Sequence, residues 1–192
     1  MASDNDRRIG LEILKKVRSL QLPMKLDNIT EGRGNCLPLA ILAQCRRPEI
    51  FPQLDGSMQH IIYNNDPTGL RQQVHRFMVN STHPKIQEYK RRYEEIISVI
   101  DKRSWKEYWE VMIRNYEWAD YIFIQSTAWF LGYDIIIVTT TSTESHPYIT
   151  ISGNINDESL PSPGIPLLIG SKSQVHFQSL LPSKSSEKGS SG

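Results

Sequence analysis

Residues 32–41 read Gly-Arg-Gly-Asn-Cys-Leu-Pro-Leu-Ala-Ile, a glycine-bearing polar stretch that runs straight into an apolar segment of helical character. Cys36 stands at the junction. A thiol there occupies the first turn of a helix, behind a loop whose glycines let the backbone approach a substrate closely. A helix N-terminus carries roughly half a positive charge and several unpaired N–H groups. Both favour a thiolate, the reactive form of cysteine. The same N–H groups can hold a developing oxyanion. The segment is a candidate nucleophile with its own electrostatic support.

A cysteine nucleophile needs a base. Of the five histidines, His60, His75, His83 and His146 fall in loops or on a helix surface. His176 lies in a short strand between Val175 and Phe177. Strand alternation puts Gln174, His176 and Gln178 on one face. Gln178 can then accept a hydrogen bond from the imidazole and orient it, giving the composition of a nucleophile–base–orienter triad. Taken singly, each piece also has an ordinary structural reading. A buried Cys serves as a small core residue, a strand His as a satisfied polar group, and Lys90-Arg91-Arg92 as a solvated helix face.

These residues must be positioned by a chain of 192 residues, which suits one domain with a real core. Hydrophobic residues make up 39% and charged residues 22%, a globular composition. The formal net charge of +1 gives no case for nucleic acid or an acidic membrane surface. No apolar run approaches the roughly 20 residues that span a bilayer, and the polar N-terminus lacks a signal peptide's apolar centre. The expected location is cytoplasmic. Cys36 and Cys45, nine residues apart on one helix, would sit about 13 Å apart. That is too far for a disulfide. No CxxC or HExxH spacing suggests a metal, and no cofactor is expected.

The spacing of apolar residues predicts a helix over 9–20 closed by Pro23, and a short extended piece over 26–30. It predicts a helix from Cys36 to residues 45–48, with Pro38 in its first turn. Residues 49–67 read as mostly loop, with an extended piece at 61–63. Further helices are expected over 69–80, over 85–101 with Tyr89, Tyr93, Ile96, Ile97 and Ile100 inward, and over 119–131. Another should open at the Ser104/Glu107 capping box. Strands follow at 134–139, a β-branched run suited to a central buried strand, and at 146–151. A hairpin over 166–178 should turn at 170–173. Residues 182–192, rich in Ser, Lys and Gly, read as a disordered tail or a cloning remnant. The sum is α+β, helices first and sheet later, in one domain over 1–181.

Gly34-Asn35-Cys36-Leu37 before an apolar helix resembles the nucleophile motif of the OTU (ovarian tumour) family of papain-like cysteine proteases, usually Asp-Gly-Asn-Cys-hydrophobic. Trp118-Ala119-Asp120, with Ile124-Gln125-Ser126-Thr127-Ala128 and Ile135-Ile136-Ile137-Val138, resembles that family's Trp-containing helix and core strand. Val175-His176-Phe177-Gln178-Ser179-Leu180 resembles its terminal His block. The blocks occur in the family's order over residues 25–181.

The resemblance implies an OTU fold, with helices packed around a small central sheet. It also implies a thiol-dependent deubiquitinase that hydrolyses the isopeptide bond after the C-terminal glycine of ubiquitin. Cys36 would be the nucleophile and His176 the general base. Backbone N–H groups of Cys36 and of the turn through Arg33, Gly34 and Asn35 would form the oxyanion hole. The implied partner is ubiquitin, polyubiquitin or a ubiquitin-like modifier, bound by a monomer through residues 85–118 and loops beside His176. The chain departs from the family pattern at two positions. Arg33 replaces the usual Asp, where it can hold a thiolate or meet the substrate's tail. Gln178 replaces the usual Asp or Asn, which leaves Asp27 and Asn28 as further candidates for the orienting group. The alternatives are an OTU-fold module that binds ubiquitin without turnover, and a cysteine protease that processes a polyprotein.

Overall fold

Ser3 opens the first helix. Its hydroxyl accepts from the Asp6 N–H and the Asp6 carboxylate accepts from the Ser3 N–H, a capping box that starts α1 (Asp4–Ser19). Apolar periodicity alone placed that start at residue 9, because the first turns are polar and are set by the cap. The computed structural model describes residues 1–184. The helices that follow are α2 (Cys36–Cys45), α3 (Gly56–Tyr63), α4 (Pro67–Asn80), α5 (Pro84–Arg92), α6 (Ser98–Asp101), α7 (Trp105–Met112) and α8 (Tyr121–Leu131). No helix among the described residues is long and apolar enough to cross a membrane.

Five strands form one sheet: β1 (Met24–Leu26), β2 (Ile135–Thr139), β3 (Ile149–Ile151), β4 (Leu167–Lys172) and β5 (His176–Pro182). Their order is β1-β5-β4-β2-β3, so β4 is central and β2 lies beside it. β2 and β4 run parallel, and every other pair is antiparallel. On one face Ile13 and Val17 of α1 pack with Val138, Leu168 and Leu180. On the other, α2 and the remaining helices except α6 pack with Ile135, Ile137, Leu167, Ile169 and Phe177. Burial on both faces is what the unbroken Ile-Ile-Ile-Val run requires. Gly170 lets α1 approach β4 closely, since a Cβ there would lie 2.4 Å from Ile13 Cγ2.

Four expectations need correction. Residues 56–63 form α3, not a loop with an extended piece. Asp55 caps them by accepting from the Met58 N–H at 2.9 Å, and Ile61 and Ile62 pack inward at helical spacing. The helix over 84–101 is interrupted by a π turn at Tyr93–Ile97. The extra residue rotates the apolar face, so Tyr93 stays buried while Ile96, Ile97, Val99 and Ile100 are exposed. The β4–β5 turn lies at Ser173-Gln174, both at positive φ, so Gly170 belongs to the strand. Residues 182 and 183, expected in the tail, are part of the fold. Pro182 ends β5 and the Ser183 N–H donates to the Pro23 carbonyl at 2.9 Å. The rest of the expected tail, residues 185–192, lies outside the described residues.

Candidate active site

The loop before Cys36 is shaped by backbone requirement. Arg33 and Gly34 both take positive φ (64° and 81°). At Gly34 a Cβ would lie 1.9 Å from the Tyr116 carbonyl oxygen, so only glycine fits. The Gly34 carbonyl accepts from Arg71 Nη2 at 3.0 Å. Carbonyl and following N–H point opposite ways in a trans peptide. Fixing the carbonyl therefore fixes the direction of the Asn35 N–H.

Asn35 is the N-cap residue of α2, yet its side chain does not cap the helix. Its Oδ1 accepts from Arg71 Nη2 at 3.1 Å and from the Tyr116 N–H at 3.2 Å, and its Nδ2 donates to Asn115 Oδ1 at 2.8 Å. The side chain ties the loop to residues 115–116. Pro38, third in the helix, has no N–H to be capped. The first-turn N–H groups of Cys36 and Leu37 are therefore left for the sulfur or a bound oxyanion.

Arg71 was not among the candidate residues read from the sequence. It is fully buried on α4. Besides Gly34 and Asn35 it donates to the Met112 carbonyl at 2.8 Å and to the Glu117 carbonyl, and it lies 5.7 Å from the Phe123 ring centre. One guanidinium thus binds the pre-cysteine loop to the 112–117 segment. Its signal was positional. Arg71, Val74 and Met78 recur at the spacing of a buried helix stripe.

Cys36 abuts the start of β5. Its thiol donates to the Val175 carbonyl at 3.5 Å, and the Phe177 N–H faces the sulfur. The sulfur therefore meets backbone on both sides of His176. The thiol and the imidazole are not hydrogen-bonded to each other, and His176 Nε2 is buried without a partner. Burial pushes the Cys36 thiol up from its ordinary value. The N–H groups of Phe177, Leu37 and Cys36 oppose that shift without reversing it. Burial likewise pushes His176 down, against the pull of Asp6. Both shifts favour the uncharged forms, a thiol and a neutral imidazole. The helix terminus alone does not deliver the thiolate that the sequence suggested. Cys45, at the far end of α2, is pushed up to about 12 by burial. Both cysteines are free.

His176 shares its sheet face with Gln178 and with Lys172, its register partner, whose ammonium pairs with Glu12 of α1 at 2.6 Å. On that face the Asp6 carboxylate lies 3.8 Å from His176 Nδ1. Burial pushes Asp6 up, but hydrogen bonds from Ser3 and the Gly32 N–H, together with the electrostatic pull of nearby His176, outweigh it and hold the carboxyl below its ordinary value.

The residues expected to orient His176 are engaged elsewhere. Gln178 accepts from the Thr30 N–H at 2.9 Å and donates to the Asn28 carbonyl at 2.8 Å and the Ser179 carbonyl at 2.9 Å. It fastens the approach to the cysteine loop onto β5. Asp27 accepts from the Ser179 hydroxyl at 2.8 Å, and Asn28 serves Gln178 through its backbone. Gln44, buried on α2, donates to that same Ser179 hydroxyl at 2.7 Å and accepts from the Leu168 N–H at 2.8 Å, which locks α2 to the sheet. Arg33 points its side chain to solvent and pairs with Glu31 at 3.9 Å instead of supporting the sulfur. Among the described residues, no group of three or more His, Cys, Asp and Glu is placed to hold a metal ion.

No family model matches the chain, and no curated protein matches it in sequence. Solved structures do. The OTU domain of OTUD1 aligns with a TM-score of 0.55 at 16% identity, covering 91% of this chain and 98% of that one. A chain of the h/ceOTUB1–ubiquitin aldehyde–UBCH5B~Ub complex aligns at 0.59 and 13% identity, covering 89% and 82%. The viral OTU domain protease from Dera Ghazi Khan virus aligns at 0.50 and 15% identity, covering 86% and 85%. This chain, with its cysteine heading α2 and its histidine heading β5, has the OTU fold.

Proposed function

We propose that the chain is a thiol-dependent deubiquitinase. The observation that carries this reading is the seating of the Cys36 sulfur, at the bare N-terminus of α2, against the backbone that flanks His176. It is supported by the likeness to an OTU-fold chain in a complex with ubiquitin aldehyde.

In this reading the thiol turns from the Val175 carbonyl and passes its proton to the free imidazole nitrogen. The sulfur attacks the carbonyl carbon of ubiquitin's C-terminal glycine. The resulting oxyanion is held by backbone N–H groups of the Asn35–Leu37 turn, whose direction Arg71 and Asn35 fix. Collapse expels the lysine amine, which takes the proton from the imidazolium, and leaves a thioester. Water, deprotonated by His176, releases the ubiquitin carboxylate and restores the thiol. Ubiquitin's apolar face would rest on the exposed aliphatic ledge of the π turn and α6, Ile96, Val99 and Ile100. Of the aromatics in residues 85–118, Tyr89, Tyr93, Trp105, Tyr108 and Trp109 are spent on the core, whereas Tyr116 and Trp118 stay exposed.

The test is hydrolysis of diubiquitin by wild type, Cys36→Ala and His176→Ala, with folding followed by circular dichroism. Wild type is expected to cleave and both folded variants to fall to background. Undiminished cleavage by Cys36→Ala would overturn the assignment. A second reading, binding without turnover, is favoured by the buried thiol and by its hydrogen bond to a carbonyl instead of to His176. Its signature is saturable ubiquitin binding by a wild-type protein that forms no thioester.

A further inference from the structure

We propose that Asp6, presented by the first turn of α1, orients the imidazole of His176 and keeps its proton on Nδ1, so that Nε2 is left as the base. The proposal rests on the reading of Cys36 and His176 as nucleophile and base. It makes Asp6 a positioning residue, and it makes α1 part of the active site.

Five observations converge on it. The Asp6 and His176 side chains are about 10% and 6% exposed, so little water screens the 3.8 Å approach of Oδ1 to Nδ1. Among the described residues, Asp6 is the one carboxylate within ion-pair distance of that ring. The groups in sequence-favoured places, Gln178 and Asp27, are committed to Thr30, Asn28 and Ser179.

Asp6 is also held in place. The Ser3 N–H donates to its Oδ2 at 2.7 Å, and Gly32 approaches so closely that a Cβ there would lie 2.8 Å from Oδ1. Finally, Nε2 is the orphan nitrogen of a buried ring. A carboxylate at Nδ1 favours the proton on that nitrogen. It also stabilises the imidazolium formed once Nε2 takes a second proton. Close to the ring also lie Cys36 of α2, whose sulfur meets the backbone on both sides of His176, and Lys172, the register partner of His176, whose charge is paired with Glu12. A separation of 3.8 Å is long for a hydrogen bond. Contacts of this kind tighten as charge develops on the base.

The experiment compares wild type, Asp6→Asn and Ser3→Ala by NMR titration of the His176 ring and by steady-state hydrolysis of a ubiquitin substrate. Ser3→Ala removes the hydroxyl half of the capping box but leaves the carboxylate. In Asp6→Asn, the His176 titration is expected to move down by about one unit. There kcat should drop at least about tenfold with KM unchanged. Ser3→Ala is expected to match wild type in both. An unshifted His176 titration in Asp6→Asn would overturn the proposal. An equal loss of kcat in Ser3→Ala would do the same, because it would assign the effect to helix capping. If wild type hydrolyses nothing, the deubiquitinase reading fails. The titration still decides: a shift upholds the Asp6–His176 pairing and no shift refutes it.

Discussion

Arg71 shows how one side chain can take over work that the sequence motif does not perform. The Asp-Gly-Asn-Cys pattern has Arg33 in place of its Asp, and Arg33 faces solvent. The loop is fixed from behind, by a buried guanidinium that holds the Gly34 carbonyl and the Asn35 side chain together. Lysine keeps the charge but not the planar fork, so it cannot satisfy those acceptors at once. Arg71→Lys is therefore expected to fold, to retain KM and to lose about tenfold in kcat, read from ubiquitin hydrolysis. Unchanged kcat would separate Arg71 from the oxyanion loop. Cysteine chemistry gives a second outcome at this scale. Burial raises the Cys36 thiol above its ordinary value of 9.0, so the thiolate appears only as pH climbs past that value. Alkylation of the free protein by iodoacetamide should rise through the alkaline range without a plateau near neutrality. Cys45, pushed up to about 12 at the far end of α2, should stay unmodified in the folded protein. A plateau below pH 8 would mean that a thiolate–imidazolium pair is already present.

Elements divide into those legible from the chain and those set by contacts the chain does not display. α2, α4, α7 and α8 follow from apolar spacing, caps and the stops at Gly132 and Pro84. β2 follows from its β-branched run. The first turns of α1 were hidden, because Ser3 and Asp6 are polar and the cap is a pair of hydrogen bonds, not a periodicity. The same concealment hid Asp6 as His176's neighbour, since only the packing of α1 across the sheet brings the two together. The inward face of residues 93–100 was misplaced because a π turn leaves no mark in composition. The β4–β5 turn was placed early because Gly170 looks like a turn residue. Its glycine answers instead to Ile13 across the sheet. The true turn uses Ser173 and Gln174 at φ 54° and 58°, where both residues carry a left-handed penalty. Replacing them by Asn-Gly is expected to stabilise the fold by about 1 kcal/mol, seen as a Tm higher by about 2–4 °C. An unchanged or lower Tm would show that the Ser173-Gln174 conformation is not strained.

At the scale of the whole molecule, the sheet separates two supports for one site. α1 covers one face and carries Asp6 to His176, while α2 on the other face carries Cys36 to the edge of β5. The general architecture was legible because helical spacing fills the first part of the chain and β-branched runs the second, and the ordered Cys, Trp and His blocks resemble those of one fold. The hydrogen-bonded fasteners Gln44, Gln178 and Arg71 were not, because each makes its partners only after folding. Away from this junction the molecule exposes the Ile96–Ile100 ledge, with Ile100 79% accessible. A charge there would oppose an apolar partner without touching the chemistry. Ile100→Glu is expected to raise KM for ubiquitin substrates several-fold, on the order of 1 kcal/mol, with kcat unchanged. Equal KM values in wild type and variant would remove the ledge from the binding surface. The central claim is that Cys36 reacts with the C-terminus of ubiquitin. Its most direct measurement is intact mass after incubation with ubiquitin carrying a thiol-reactive C-terminal group, on wild type and Cys36→Ala. A ubiquitin-sized adduct on wild type, absent from Cys36→Ala and retained in Cys45→Ala, is the result expected. Folded wild type that gains no adduct, or a Cys36→Ala protein that still does, would contradict the account.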